Sequence, residues 1–201
     1  MWLVQFNPTK TKYMIFSKKA ERTAYGPLLL QNRQLDEVST HKHLGLTFNN
    51  KMTWDNHINK ICTEAGKRLS TIKRLPQSIT PLTKIHIYKV FIRPLLEYGA
   101  TVFDSCTLEL SQKLENVQRQ ATIAATRAYN KTSSQHLLDE CGLVTLHNRR
   151  IQAKLTTLYK IKKDIAPDYL KTLLPKEVGD NIDYDLRDTT DIRLPKITKN
   201  Y

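Results

Sequence analysis

The side chains in this chain that could do chemistry are six histidines, three cysteines and a large surplus of lysine and arginine. His41 and His43 stand two apart in a strand-like stretch, so they share one face and could in principle bind one metal ion. No cysteine or carboxylate accompanies them at ligand spacing, and no metal site is expected. His57, His86, His136 and His147 are scattered, and His57, close to a helix start, reads as a capping or packing residue. Cys62, Cys106 and Cys141 are odd in number, far apart and form no C-x-x-C, which argues against a disulfide framework and for a reducing, intracellular compartment. There is no adjacent Asp-Asp, no pair of carboxylates with a polymerase, glycosidase or nuclease signature, and no glycine-rich phosphate loop or G-x-S-x-G elbow. Catalytic residues are therefore expected to be absent. The sequence offers binding surfaces and a core.

Charge indicates what those surfaces would bind. Lys and Arg number 32 against 19 Asp and Glu, giving a formal charge of +13. Such a balance favours an anionic partner, nucleic acid above all; the plainer reading is a basic surface that only keeps the protein in solution. The densest cationic row is Lys60, Lys67, Arg68, Lys73 and Arg74, on the side of a helical repeat opposite its apolar stripe. A basic face of that kind can track a phosphate backbone, or can be an ordinary solvated helix face. Arg149 and Arg150 with Lys154 form a second group, and Lys160, Lys162 and Lys163 a third. Lys10, in an Asn7-Pro8-Thr9-Lys10 turn, is either a solvated loop lysine or a cation held near a phosphate. No run of eighteen apolar residues is present, so no membrane-spanning helix is expected.

The elements that must position these residues change character between His41 and Ile61. Before it, short apolar runs alternate between turn residues: Lys12–Phe16, a hairpin over residues 28–35 turning at Asn32-Arg33, and a strand from Val38 into His43-Leu44-Gly45-Leu46. After it, apolar spacing becomes helical. Asp55 is expected to cap a helix whose buried stripe is Ile58, Ile61, Cys62, Ala65, Leu69, Ile72 and Leu75, ended by Pro76. Thr80-Pro81 starts a second helix carrying Leu82, Ile85, Tyr88, Val90 and Ile92, which Pro94 kinks or interrupts, and the stretch Ile85–Phe103 reads as the most buried of the chain. Glu97 within it needs pairing, and Arg93 or a backbone donor is the expected partner. Thr107 caps a helix to Ala128 with Leu114, Val117, Ala121, Ala124 and Ala125 inward and Gln118, Arg119 and Arg127 outward or toward a ligand; Gln135–Cys141 is a short helix closed by Gly142; Leu146–Ile165 is helical with Ile151, Leu155, Leu158 and Ile161 as its apolar side. The fold class is α+β and mostly helical: a short antiparallel N-terminal sheet followed by a helical bundle. Four segments are expected: residues 1–52, 53–130, 131–175 and a polar tail, 176–201.

Several phrases, in order, resemble the reverse transcriptases of non-LTR retrotransposons (jockey-like elements). Trp2-x-x-x-Phe6-Asn7-Pro8-x-Lys10-Thr11 with Met14-Ile15-Phe16-Ser17 resembles the segment after the catalytic Asp-Asp strand. His43-Leu44-Gly45-Leu46 resembles the primer-grip hairpin, and Lys51-Met52-Thr53-Trp54-x-x-His57-Ile58 the entry to the thumb. Ile92–Ala100, Leu114-Glu115-x-Val117-Gln118-Arg119, Leu137–Leu143 and Asn148-Arg149-Arg150 are similar to further phrases of that family. The resemblance implies a palm remnant with the hairpin in residues 1–52, a thumb in 53–130 and a connection in 131–175. It implies that Lys10 lies near the incoming nucleotide, that His43, Leu44 and Gly45 support the primer end, and that Lys60, Lys67, Arg68, Lys73, Arg74, Arg149 and Arg150 face an RNA–DNA or DNA primer–template duplex. Mg²⁺ is implied for the intact enzyme and no cofactor for this chain. The family's aspartates and fingers would precede Trp2, so the chain is expected to lack polymerase activity alone, to represent a truncated element or one beginning at an internal methionine, and to need the missing palm and fingers as partner. The nucleus is a compartment the resemblance allows. A helical protein-interaction or structural fragment with no nucleic-acid role is the competing reading.

Overall fold

The computed structural model describes residues 6–17 and 26–175. The expectations for Trp2–Gln5 and for the tail 176–201 lie outside the described residues. The chain divides into two compact units, Met1–Ala153 and Lys154–Tyr201.

The strand region of the first unit is a set of short pairings. β1 (Lys12–Tyr13) runs parallel to β4 (Asp36–Glu37), β2 (Leu29–Leu30) pairs antiparallel with β3 (Arg33–Gln34), and β5 (Thr40–His43) pairs antiparallel with β6 (Leu46–Asn49). Before β1, Asn7 organises the expected turn: its carboxamide oxygen accepts from the Thr9 backbone N–H and hydroxyl, at 2.9 and 2.7 Å. The β2–β3 turn falls one residue earlier than expected, on Gln31-Asn32, because both take positive φ (52° and 59°), as a two-residue hairpin of matching twist requires. Lys12–Phe16 is a ladder only at Lys12–Tyr13. Beyond it Val38 N–H donates to the Tyr13 carbonyl and Ser17 N–H to that of Asn50.

The helices carry the core. α1 (Asp55–Lys73) buries His57, Ile58, Ile61, Ala65, Leu69 and Ile72, the stripe its spacing predicts. Asp55 is not its cap. Trp54 holds that position without a side-chain bond, and the preceding Thr53 N–H is taken by the Asn49 carboxamide at 2.8 Å. Asp55 is instead the first helical residue, where a negative charge still complements the helix dipole. α2 (Pro81–Ile87) opens as expected, Thr80 Oγ1 accepting from the Thr83 N–H.

A π turn, Tyr88–Ile92, follows at once, with the Arg93 N–H bonded five residues back to the Tyr88 carbonyl, and leads into α3 (Arg93–Glu97). Pro94 explains it: a residue with no N–H and a bulky ring breaks the regular ladder, and the wider turn absorbs the break. The burial expectation for α2 and the π turn is corrected as well. Tyr88 and Ile92 are buried, whereas Leu82 (78% exposed), Val90 and Phe91 face outward.

After α4 (Ala100–Phe103), α5 (Leu108–Thr126) lies against α1 and buries Leu110, Leu114, Gln118, Ala121, Thr122 and Ala125. α6 (Ser134–Glu140) closes through paired bonds from Gly142 to the Asp139 carbonyl and from Leu143 to that of Leu138. α7 (Leu146–Lys162) begins on a cap supplied by another helix: the Glu115 carboxylate accepts from the Leu146 and His147 N–H groups at 3.2 and 2.8 Å. One core joins Leu46 and Trp54 to the inner faces of these helices.

The second unit holds the later turns of α7 and a 3₁₀ turn, Asp168–Leu173. α7 ends on Asp164 at positive φ (58°), with the Ile165 N–H reaching back to the Lys160 carbonyl, and Lys171 pairs with Asp164. Of the apolar side expected for α7, Leu158 and Ile161 are half-buried here and Leu155 is exposed. Among the described residues, no helix is long and apolar enough to cross a membrane.

Candidate nucleic-acid interface

Two features of the first unit gather the residues singled out above: the outer face of α1, and the tip of the β5–β6 hairpin.

On α1, residues seven apart lie only about 20° apart around the axis and roughly 10 Å along it. Lys60, Lys67 and Arg74 therefore form one line, about 20 Å long by the same rise, directly opposite the buried stripe. All three are exposed. Glu64 flanks the line and lies 3.6 Å from Lys67, an exposed pair that salt screens easily. Lys73 is exposed but sits well around the helix from this line. Arg68 is drawn away: its Nη1 donates to the Phe91 carbonyl at 2.8 Å, and its guanidinium lies 4.8 Å from the centre of the Phe91 ring. It ties α1 to the π turn. Lys113 of α5 reaches the first turns of α1, with Nζ 3.3 Å from Asn59 Oδ1 and 3.2 Å from Glu109.

Arg149 and Arg150 require a correction. Arg150 is 2% exposed, its Nε donating to Asp104 at 2.9 Å and its Nη2 to Ser111 Oγ at 2.6 Å. A guanidinium committed in this way braces α7 against α4 and α5 and presents nothing to a phosphate. Arg149 makes a forked pair with Glu97, through Nε and, at 3.1 Å, through Nη2. Arg93 approaches the same carboxylate at 3.8 Å, so Glu97 has the expected partner and a closer second one. The hydrogen bond to Glu97 holds the Arg149 pKa above its ordinary value. Gln118, expected to point outward, is buried: it accepts from the Tyr88 hydroxyl at 2.7 Å and donates to the Val144 carbonyl at 3.0 Å. Burial drives the Tyr88 phenol far above its usual range. Arg119 donates to the carbonyls of Asn130 and Thr132 and closes the loop after α5.

At the hairpin, Leu44 and Gly45 are the two turn residues between β5 and β6, with φ of 45° and 85°. Gly45 is required twice over, by this φ and by the ring of Tyr98, which a Cβ would meet at 2.8 Å. Leu44 is not a residue that favours this conformation, and a left-handed leucine costs about 1–2 kcal/mol. Its side chain is nonetheless 76% exposed. The Tyr98 hydroxyl donates to the Leu44 carbonyl at 2.8 Å, and Gly99, at φ 68°, packs so closely on Leu46 that a Cβ would lie 2.7 Å from its Cδ2. His43 is exposed at the end of β5, and with His41 it lines a cleft of about 360 Å³ that also includes Tyr13, Met14 and Phe48.

Below the hairpin, Trp54 and His57 explain their own spacing. Trp54 packs edge-on to Phe48, donates to Ser105 Oγ at 3.2 Å, and joins His57 and Phe103 in one aromatic cluster. His57 Nδ1 accepts the Thr47 N–H at 3.4 Å, while its buried Nε2 has no hydrogen-bond partner. Desolvation, and then the charge of Lys60, lower its pKa.

Lys10 is exposed in its Asn7–Lys10 turn, on the strand side of the unit. No group of three His, Cys, Asp or Glu side chains that could hold a metal ion is found among the described residues. Tyr98, Gly99, Asp104 and Glu115 carry as much of this architecture as the cations do. Their only signal in the sequence is their place within the Arg93–Ala100 and Leu114–Arg119 phrases and in the segment just after the first of these.

No protein-family model matches the chain, and no solved structure does. Among curated proteins it is similar to the probable RNA-directed DNA polymerase from transposon BS of Drosophila melanogaster, with 23% identity over 128 residues. The similarity covers 62% of this chain and 14% of that protein. It relates the chain, distantly, to a transposon RNA-directed DNA polymerase as a reverse-transcriptase-like sequence.

Proposed function

We propose that this chain is the end of the palm with the thumb and connection of a non-LTR-type reverse transcriptase, and that it grips a primer–template duplex without catalysing on its own. The observation that carries the reading is the exposed line of Lys60, Lys67 and Arg74 on α1, rigidly mounted on a core that also fixes the β5–β6 hairpin. A straight row of cations at intervals of two helical turns suits a phosphate backbone read by its geometry and not by its sequence. In this reading Lys73 and Lys113 extend the cationic surface, Arg68 acts through α1's position, and Lys10 faces a nucleotide only in company with the rest of a palm.

A salt titration of duplex binding by the full chain tests the reading. The plot of log affinity against log salt falls steeply, and replacing Lys60, Lys67 and Arg74 together by glutamine flattens it by up to about 3 units, near 0.9 for each phosphate no longer neutralised. Undetectable binding at low salt, or an unchanged slope in the triple variant, refutes it.

The competing reading, a protein-interaction fragment, has one observation in its favour: Leu82, Val90 and Phe91 project from α2 and the π turn. It requires that duplex binding be absent while Leu82→Ser and Val90→Ser abolish association with a protein.

A further inference from the structure

α7 carries no acidic residue of its own, yet its later turns hold Lys154, Lys160 and Lys162, and Lys163 follows at once. The Lys163 N–H still bonds to the Tyr159 carbonyl, so it continues the helical path. Counted from Leu155, Tyr159, Lys162 and Lys163 stand four, seven and eight residues on, and all four side chains share one side of the helix. All four are exposed, Leu155 and Tyr159 to 60% and 59%. The next carboxylate along the chain, Asp164, is engaged by Lys171. This face of the second unit therefore combines positive charge with open apolar surface.

The chain itself holds a complement. Residues 177–191, which lie outside the described residues, contain Glu177, Asp180, Asp183, Asp185, Asp188 and Asp191 against a single cation, Arg187. That sign is the reverse of a chain whose formal charge is +13. Ile182, Tyr184 and Leu186 are interleaved with the acids, so the run carries apolar side chains as well as negative charge. A phosphate backbone matches the lysines but offers Leu155 and Tyr159 nothing, whereas this segment matches both. Reach is not limiting: residues 182–188 extended span roughly 20 Å, against about 12 Å of helix from Leu155 to Lys163. A tether this short sets an effective concentration on the order of millimolar.

We propose that the acidic segment 177–191 docks on the Leu155–Lys163 face of α7 and withholds Lys162 and Lys163 from nucleic acid. Ile182, Tyr184 and Leu186 meet Leu155 and Tyr159, and the long lysine stems reach the flanking carboxylates. The docking is independent of the duplex-gripping reading above; the withholding rests on it.

The test uses the full chain. Hydrogen exchange read by mass spectrometry follows the amides of residues 180–191, and a salt titration follows duplex binding. In the wild type those amides exchange about tenfold more slowly than in an isolated peptide of the same sequence. Lys162→Glu with Lys163→Glu brings them to the peptide rate, and adding Asp183→Lys with Asp185→Lys restores the protection. Replacing Asp183, Asp185, Asp188 and Asp191 together by asparagine frees the lysines, so duplex affinity rises and the salt plot steepens by about 2 units, near 0.9 for each lysine. With Lys162→Gln and Lys163→Gln added, that gain in slope disappears. Peptide-rate exchange in the wild type, or protection that survives Lys162→Glu with Lys163→Glu, overturns the docking. A slope gain that persists without the two lysines reports only the change in net charge and overturns the withholding. So does a wild-type slope that already falls on Lys162→Gln with Lys163→Gln, since α7 then faces the duplex directly. If no variant binds duplex, the gripping reading fails and the withholding with it, and exchange alone decides the docking.

Discussion

Arg150 gives the sharpest separation between a brace and a nucleic-acid contact. Its side chain is 3% exposed and that of Asp104 13%, and the pair is made through Nε at 2.9 Å with Ser111 Oγ on the second nitrogen at 2.6 Å. Arg150→Met keeps most of the volume and removes the charge. Asp104 then keeps its carboxylate in a nearly dry site without its guanidinium, and breaking a buried pair in this way costs about 3–5 kcal/mol. For a domain of this size each kcal/mol moves the midpoint of thermal unfolding by roughly 2–4 °C, so a drop on the order of 10 °C is expected. Replacing both partners, Arg150→Met with Asp104→Asn, recovers more than half of the loss, because the buried carboxylate that lost its guanidinium is then neutral. Urea unfolding followed by circular dichroism at helix wavelengths measures all three variants. Duplex binding in native conditions keeps its salt slope in Arg150→Met, since the side chain neutralises no phosphate. A variant that loses less than about 1 kcal/mol while its slope falls by about 0.9 refutes the brace and restores Arg150 to the binding surface.

Three further outcomes are expected. The His57 pKa is depressed in the fold by burial and by Lys60, so between its ordinary value near 6.5 and the lower folded value the unfolded chain binds the extra proton; stability is full above that ordinary value and declines as pH falls toward the folded one, and a urea midpoint measured from pH 7.5 downward shows a weaker decline in His57→Gln. Leu44→Asn relieves a left-handed leucine and raises stability by about 1 kcal/mol, read as a higher urea midpoint; a lower midpoint would contradict the strain assigned there. Burial pushes the Cys62 thiol up to about 11, leaving roughly a thousandth as thiolate at pH 8, so a disulfide reagent labels it far more slowly in the native protein than in urea.

What was legible in the sequence follows physical range. The α1 stripe was legible because one helix face buries at a fixed period, and the Thr80-Pro81 and Thr107 caps because a cap acts within one turn. The switch from strands to helices at His41–Ile61 was legible for the same reason. The Leu44-Gly45 turn was not: its residues read as a strand running on into Leu46, and the hairpin came only with the family resemblance. The fate of each cation was not. Lys67 and Arg68 are neighbours, yet one faces water and the other holds the Phe91 carbonyl, a group placed by a π turn that no local rule foretells. Arg150 found Asp104 across forty-six positions, and Glu115 capped a helix thirty-one positions away. Such partners are chosen by tertiary packing. A count of lysine and arginine therefore overstates the surface open to a ligand.

The π turn at Tyr88–Ile92 has a consequence for how this part of the chain tolerates change in length. The wider turn takes one surplus residue into a continuous helical path, so the helix resumes after it with its faces nearly where they stood before. Ile85 and Tyr88 meet the core before the surplus residue is absorbed, and Ile92, Leu96 and, beyond them, Tyr98 meet their partners after it. Deleting either Val90 or Phe91 is therefore expected to close the π turn into a regular α turn and to leave Glu97 beside Arg149 and Tyr98 beside Leu44. A loss of one letter is absorbed here that would turn a regular helix by about 100°.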